Sequence, residues 1–73
     1  MEYRITCINK AVTEDSEMVT DLGGIDAQGE RWTMSVERAA AAMASGERFL
    51  LGDGALDAID PASTRLLKLP SCP

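Results

Sequence analysis

The clearest signal in the chain is a single helix, and it dictates what the remaining residues must supply. Ser35 stands as an N-cap, Glu37 lies in the first turn where the helix dipole favours an anion, an Ala-rich body follows, and Gly46 is placed as the C′ stop. Val36, Ala39, Ala40 and Met43 fall at i, i+3, i+4 and i+7, so one face over Val36 to Ser45 is apolar and built almost wholly of methyl groups. A lone helix with so thin an apolar face cannot enclose a core. It needs a sheet to lie on, and its small side chains let it lie close.

Strand patterns on either side supply that sheet. Tyr3 to Asn9 is rich in β-branched residues, with Tyr3, Ile5 and Cys7 on one face and Arg4, Thr6 and Ile8 on the other. The polar stretch Lys10 to Glu17 reads as an exposed loop. Met18, Thr20 and Leu22 alternate with Val19 and Asp21 in a second strand that runs into Gly23-Gly24. Asp26-Ala27-Gln28-Gly29 suits a type I turn, and Arg31 to Met34 reads as a third strand. Arg48 to Leu51 is a fourth strand, ended by Gly52-Asp53-Gly54. Ala55 to Ile59 fits a strand or a helical turn equally, Asp60-Pro61 interrupts it, and Arg65 to Leu69 reads as a short last strand. The pattern predicts one α+β domain over 1–73, a small, mainly antiparallel sheet with one helix packed on one face. That face should carry Tyr3, Ile5, Cys7, Trp32 and Met34, with Trp32 largely buried.

Length and composition limit what such a domain can do. A chain of 73 residues buries only about 60% of the surface its unfolded form exposes, and ten of its apolar residues are Ala. A partner or a second copy would help complete the core. The net charge of -5 argues against direct nucleic-acid binding, because phosphate affinity comes from clustered Lys and Arg, whereas the seven cations here are scattered singly. Met1-Glu2-Tyr3-Arg4 opens no signal peptide, and no apolar run approaches the roughly 18 positions of a membrane span. These features predict a cytoplasmic protein. Cys7 and Cys72 are accordingly expected as thiols, Cys7 buried, with the chain termini close together.

Several of these residues carry a family resemblance. Arg4-Ile5-Thr6-Cys7-Ile8, Leu22-Gly23-Gly24 followed by Gly29-x-Arg31-Trp32, the Ser35-Val36-Glu37 opening with Ala40 and Gly46 behind it, Phe49, and Leu67-x-Leu69-Pro70-Ser71-Cys72-Pro73 together resemble the bacterial domain-of-unknown-function family 3892. Between Gly52 and Arg65 the chain lacks the Tyr-Leu-(Arg/Lys)-Thr stretch of that family and looks trimmed. The resemblance implies fold and a cytosolic bacterial or phage origin. It implies no activity, cofactor or site.

Chemistry-bearing motifs are few. With no His in the chain, Cys7 lacks the usual base of a nucleophilic dyad, and two Cys cannot close a structural zinc site. Asp26, Gln28 and Glu30, and likewise Asp53, Asp57 and Asp60, surround glycine turns but do not match a twelve-residue calcium loop, so turn chemistry accounts for them. Gly23-Gly24 has neither dinucleotide nor phosphate-loop spacing. No catalytic residue, cofactor or metal is expected. The charge is polarised: through Glu30 there are seven acids against Arg4 and Lys10, whereas Arg65 and Lys68 alone are charged after Asp60. A solubilising face is the simplest reading of that asymmetry. The functional reading is a non-enzymatic binding module whose acids, Glu14, Asp15, Glu17, Asp26 and Glu30, dock on the basic surface of a nucleic-acid-handling protein, as small phage-borne inhibitors of the anti-CRISPR type do. The alternative is a self-associating structural domain that forms a homodimer, and Arg65 to Lys68 is a second candidate contact segment.

Overall fold

The computed structural model describes residues 1–12, 14–16 and 18–73, and of residues 18 and 19 the backbone alone. The elements are β1 (Glu2–Val12), β2 (Met18–Asp26), β3 (Arg31–Ser35), α1 (Val36–Ala44), β4 (Arg48–Leu51), β5 (Gly54–Ala55) and α2 (Thr64–Leu67). Five strands form one sheet in the order β3-β2-β1-β4-β5. Only β1 and β4 pair in parallel, so the sheet is mainly antiparallel as the sequence predicts. β3 and β4 both run parallel to β1 but lie on opposite sides of it. The connection between them must therefore cross the sheet, and α1 makes that crossing over one face.

Local signals place α1 as expected. The Ser35 Oγ accepts the Arg38 N–H at 3.2 Å, and Glu37 lies in the first turn. Ala39 is fully buried, with Val36, Ala42 and Met43 partly buried against the core. Ala40, expected on the covered face, is exposed. The covered stripe is rotated towards Ala42, and α1 lies over the β2-β3 side of the sheet.

The core joins Ile5, Ile8, Leu22, Phe49, Leu51, Ala39 and Leu66. Tyr3 stacks on Phe49 at 5.1 Å between ring centroids, and Trp32 meets both rings edge-on at 5.3 and 5.8 Å. Trp32 is largely buried as expected, its indole nitrogen shielded from solvent, although β3 is an edge strand and part of the ring stays accessible.

A second departure concerns which residues of β1 face the helix. Ile5 pairs with Gly24 but Cys7 pairs with Gly23, two steps on β1 against one on β2, so Thr6 is the extra residue of a β-bulge. Beyond the bulge the alternation is reversed. Ile8 joins Leu22 in the core, and Cys7 faces the opposite side of the sheet, contrary to the strict two-residue count. A Cβ on Gly24 would overlap the Arg4 carbonyl, so the bulge closes only over glycine.

Cys7 and Cys72 are not thiols. They form a disulfide, with Cα atoms 4.9 Å apart and a sequence separation of 65. The Ile8 N–H donates to the Pro70 carbonyl at 2.9 Å, and the Cys72 N–H donates to the Asn9 Oδ1 at 2.9 Å. The C-terminal tail thus lies along the edge of β1 that β4, paired only with Glu2 to Arg4, leaves open. The two sulfurs sit above Gly23, where a Cβ would stand 2.8 Å from each. The expected proximity of the first strand and the tail is therefore present, in covalent form.

Two further segments differ from expectation. Lys10 to Val12, read as loop, continues β1 in register with Met18 to Thr20. Arg65 to Leu69, read as a strand, lies in α2 and the turn after it. The helical turn points Leu66, 1% exposed, into the core, with Leu69 partly buried one turn later.

Two outcomes follow from the close approaches. Gly24→Ala is expected to abolish the cooperative thermal transition followed by circular dichroism. Cys7→Ser combined with Cys72→Ser should lower the unfolding free energy measured in urea by about 2–5 kcal/mol.

Candidate interaction site

The five acids nominated from sequence do not form one patch. Glu14 and Asp15 are exposed in the turn between β1 and β2, whereas Asp26 and Glu30 belong to the turn between β2 and β3. Glu17 lies outside the described residues. The two turns stand at opposite ends of the nine-residue β2, about 25 Å apart at the usual rise per residue. A contact that engages both groups has to span the length of β2.

The two groups also differ in what their carboxylates do. The Asp26 carbonyl accepts the Gly29 N–H at 3.0 Å, and the Asp26 N–H donates to the Glu30 carbonyl at 2.9 Å, which closes the hairpin as the type I turn requires. The Asp26 Oδ1 accepts the N–H groups of Gln28 and Glu30, each at 2.9 Å. Its negative charge is directed inward at backbone donors, so Asp26 is a turn-forming residue. Glu30 is exposed at the start of β3.

Glu14 and Asp15 occupy a different setting. Asn9 to Val12 pair with Met18 to Asp21, beyond the reach of β4, which pairs with Glu2 to Arg4. On the other side β3 pairs only with Asp21 to Ile25. The end of the β1-β2 hairpin is consequently a two-stranded arm with no flanking strand among the described residues. The longest axis of the molecule is 34 Å against 25 and 22 Å for the others. Residues 9–12 are exposed, Val12 among them at 66%. The arm places Glu14 and Asp15, both exposed, at its far end, while Lys10 and Thr20 nearer its base line a cleft with Val36, Glu37 and Pro61.

The second candidate segment is partly committed to the fold. The Arg65 Nη2 donates to the Leu51 carbonyl at 3.2 Å and Leu66 is buried, so two of its members serve the fold, although Arg65, Leu67 and Lys68 are all exposed. The face of the sheet opposite α1 carries two shallow clefts on either side of Ile25. One, of about 330 Å³, is lined by Glu2, Arg4, Asp26 and Leu50, and the other, of about 240 Å³, by Arg31, Thr33 and the cystine. The Arg4 Nη1 donates to the Gly52 carbonyl at 2.8 Å. Among the described residues no cluster of three His, Cys, Asp or Glu side chains suits a metal ion.

Sequence reasoning found the β2 half of the arm but not the β1 half, because Lys10 to Val12 carries no apolar alternation to count. It also missed the pairing of Cys7 with Cys72, although a Gly-Gly pair inside a strand pattern is the mark of a bulge or of close approach by another segment. Comparison of the chain with family models, with curated proteins and with solved structures finds no match.

Removing the Asp26 carboxylate tests the division of labour among the acids. Asp26→Ala should lower stability in urea by about 1 kcal/mol, whereas Glu30→Ala should leave it unchanged.

Proposed function

We propose that the chain is a non-enzymatic binding module that presents its acidic hairpin arm to the basic surface of a protein partner. The observation that carries this reading is the place of Glu14 and Asp15, exposed at the tip of a two-stranded arm in a domain of net charge -5. Long-range attraction to Lys and Arg speeds encounter and orients the arm, and short ion pairs then hold it. A surface dense in Lys and Arg is what a nucleic-acid-handling protein offers, and an acidic arm seated there occupies the place of phosphate. The module acts on this reading as an inhibitor in a bacterial cell, of the kind that phages carry against host defence systems. Thiol pools in such a cytoplasm oppose disulfides. Cys7 is 7% exposed and Cys72 half-buried, and limited access slows exchange at the bond between them.

The arm, rather than the whole acidic half of the sequence, is the contact. Each exposed ion pair contributes about 0.2–1 kcal/mol, so one substitution weakens binding only modestly and several together remove it. The test is affinity capture of the partner from the source cell with wild type, with a variant carrying Glu14→Lys, Asp15→Lys and Glu17→Lys, and with Glu30→Lys alone. Binding of wild type should fall steeply as salt is added. The triple variant should lose the partner and Glu30→Lys should retain it. A triple variant that binds as tightly as wild type at low salt excludes the arm as the contact.

A further inference from the structure

We infer that the outer edge of β3 pairs with the same edge of a second copy of this chain, joining two five-stranded sheets into one. The inference is independent of the acidic arm and begins from hydrogen-bond parity. The bond from the Asp26 N–H to the Glu30 carbonyl fixes that pair as a hydrogen-bonded one. Antiparallel pairs alternate, so Trp32, opposite Gly24, and Met34, opposite Leu22, direct their backbone groups to β2. The N–H and C=O of Arg31 and Thr33, and the N–H of Ser35, consequently point away from the sheet. The Ser35 carbonyl belongs to the first turn of α1.

Elsewhere in the body of the sheet the edges are short or covered: β5, the other terminal strand, has two residues. β5 pairs with β4, and the Leu56 N–H adds a further bond to the Phe49 carbonyl at 2.8 Å. β1 beyond Arg4 is lined by the tail through Ile8 and Pro70. β3, five residues long and terminal in the strand order, has no such cover among the described residues. It has no proline, bulge or lysine, and its single charged residue, Arg31, lies at its end rather than at its centre.

Its sequence is self-complementary about Thr33. In an antiparallel pair centred there, Thr33 faces Thr33 of the second copy, Arg31 faces Ser35, and Trp32 faces Met34. Each outward-pointing residue then meets another outward-pointing residue, which is the parity the ladder needs. No like charges are opposed, and Thr-Thr is a favourable cross-strand pair. Trp32 and Met34, both partly buried on the α1 side, gain the cover that an edge position denies them, with sulfur set against the indole. A shift of one residue breaks the parity, and a shift of two shortens the ladder.

Thr33 separates pairing from folding. Its N–H is on the free side, so Thr33→Pro removes no bond to β2 and leaves the monomer intact, but it takes away a donor at the centre of the joint. Sedimentation of wild type at micromolar concentration should give twice 7.8 kDa. Thr33→Pro should raise the dissociation constant about tenfold or more. Thr33→Lys, at an exposed side chain, should raise it several-fold and serves where the proline variant fails to fold. Amide exchange at Arg31 and Thr33 should be slow in wild type, and that at Arg31 should be fast in both variants. A monomeric wild type overturns the inference and leaves the edge to a foreign strand. So does a dimer that Thr33→Lys leaves unchanged, or one whose Arg31 and Thr33 amides exchange freely.

Discussion

A Cβ at Gly24 would overlap the carbonyl of Arg4, and one at Gly23 would press on the sulfurs of Cys7 and Cys72. These two bare positions on β2 decide how its neighbours lie. The first lets β1 bulge at Thr6, and the bulge turns Ile5 and Ile8 to the same side, so a short strand gives two large side chains to the core. The second lets the cystine lie flat on the reverse side, and with it the tail reaches the open edge of β1. In a domain this small the core alone leaves little margin, and a covalent tie between segments 65 residues apart removes much of the entropy of the unfolded chain.

Much of the fold was legible because its signals are local. The Ser35 cap, the Gly46 stop and the alternation in β1 to β4 each reside in a few adjacent residues, and β4 falls on the residues expected. The turn at Asp26 was legible for the same reason, since its side chain bonds the backbone two and four residues on. What escaped was non-local or neutral in pattern. The bulge depends on how β1 meets β2, so a two-residue count placed Cys7 on the wrong side. Arg65 to Leu69 has adjacent leucines that suit either period, and the demand for Leu66 in the core settles it as helix. Lys10 to Val12 is paired on one side only and exposed, and such a strand leaves no hydrophobic trace.

The candidate site was legible in residue type but not in geometry. Sequence shows that acids predominate through Glu30. It does not show that Asp26 spends its carboxylate on a turn, or that β2 holds the two acidic groups apart. The same sheet that separates them supports a division of surfaces: a two-stranded arm at one end, a free β3 edge along one side, and a tail-covered edge in the middle. Two copies joined through β3 would carry two arms, so a partner with two basic patches would bind with higher avidity than one with a single patch, provided the spacing matches.

The account rests on the tail acting as the cover of β1, held there by the cystine over Gly23. Amide exchange at Ile8, followed before and after reduction of the protein, tests this most directly, because that N–H donates to Pro70 and to no neighbouring strand. Slow exchange in the oxidised protein is predicted, with protection lost at Ile8 on reduction while Leu22, in the β1-β2-β3 interior, stays protected. Rapid exchange at Ile8 in the oxidised protein, or protection indifferent to reduction, would contradict it.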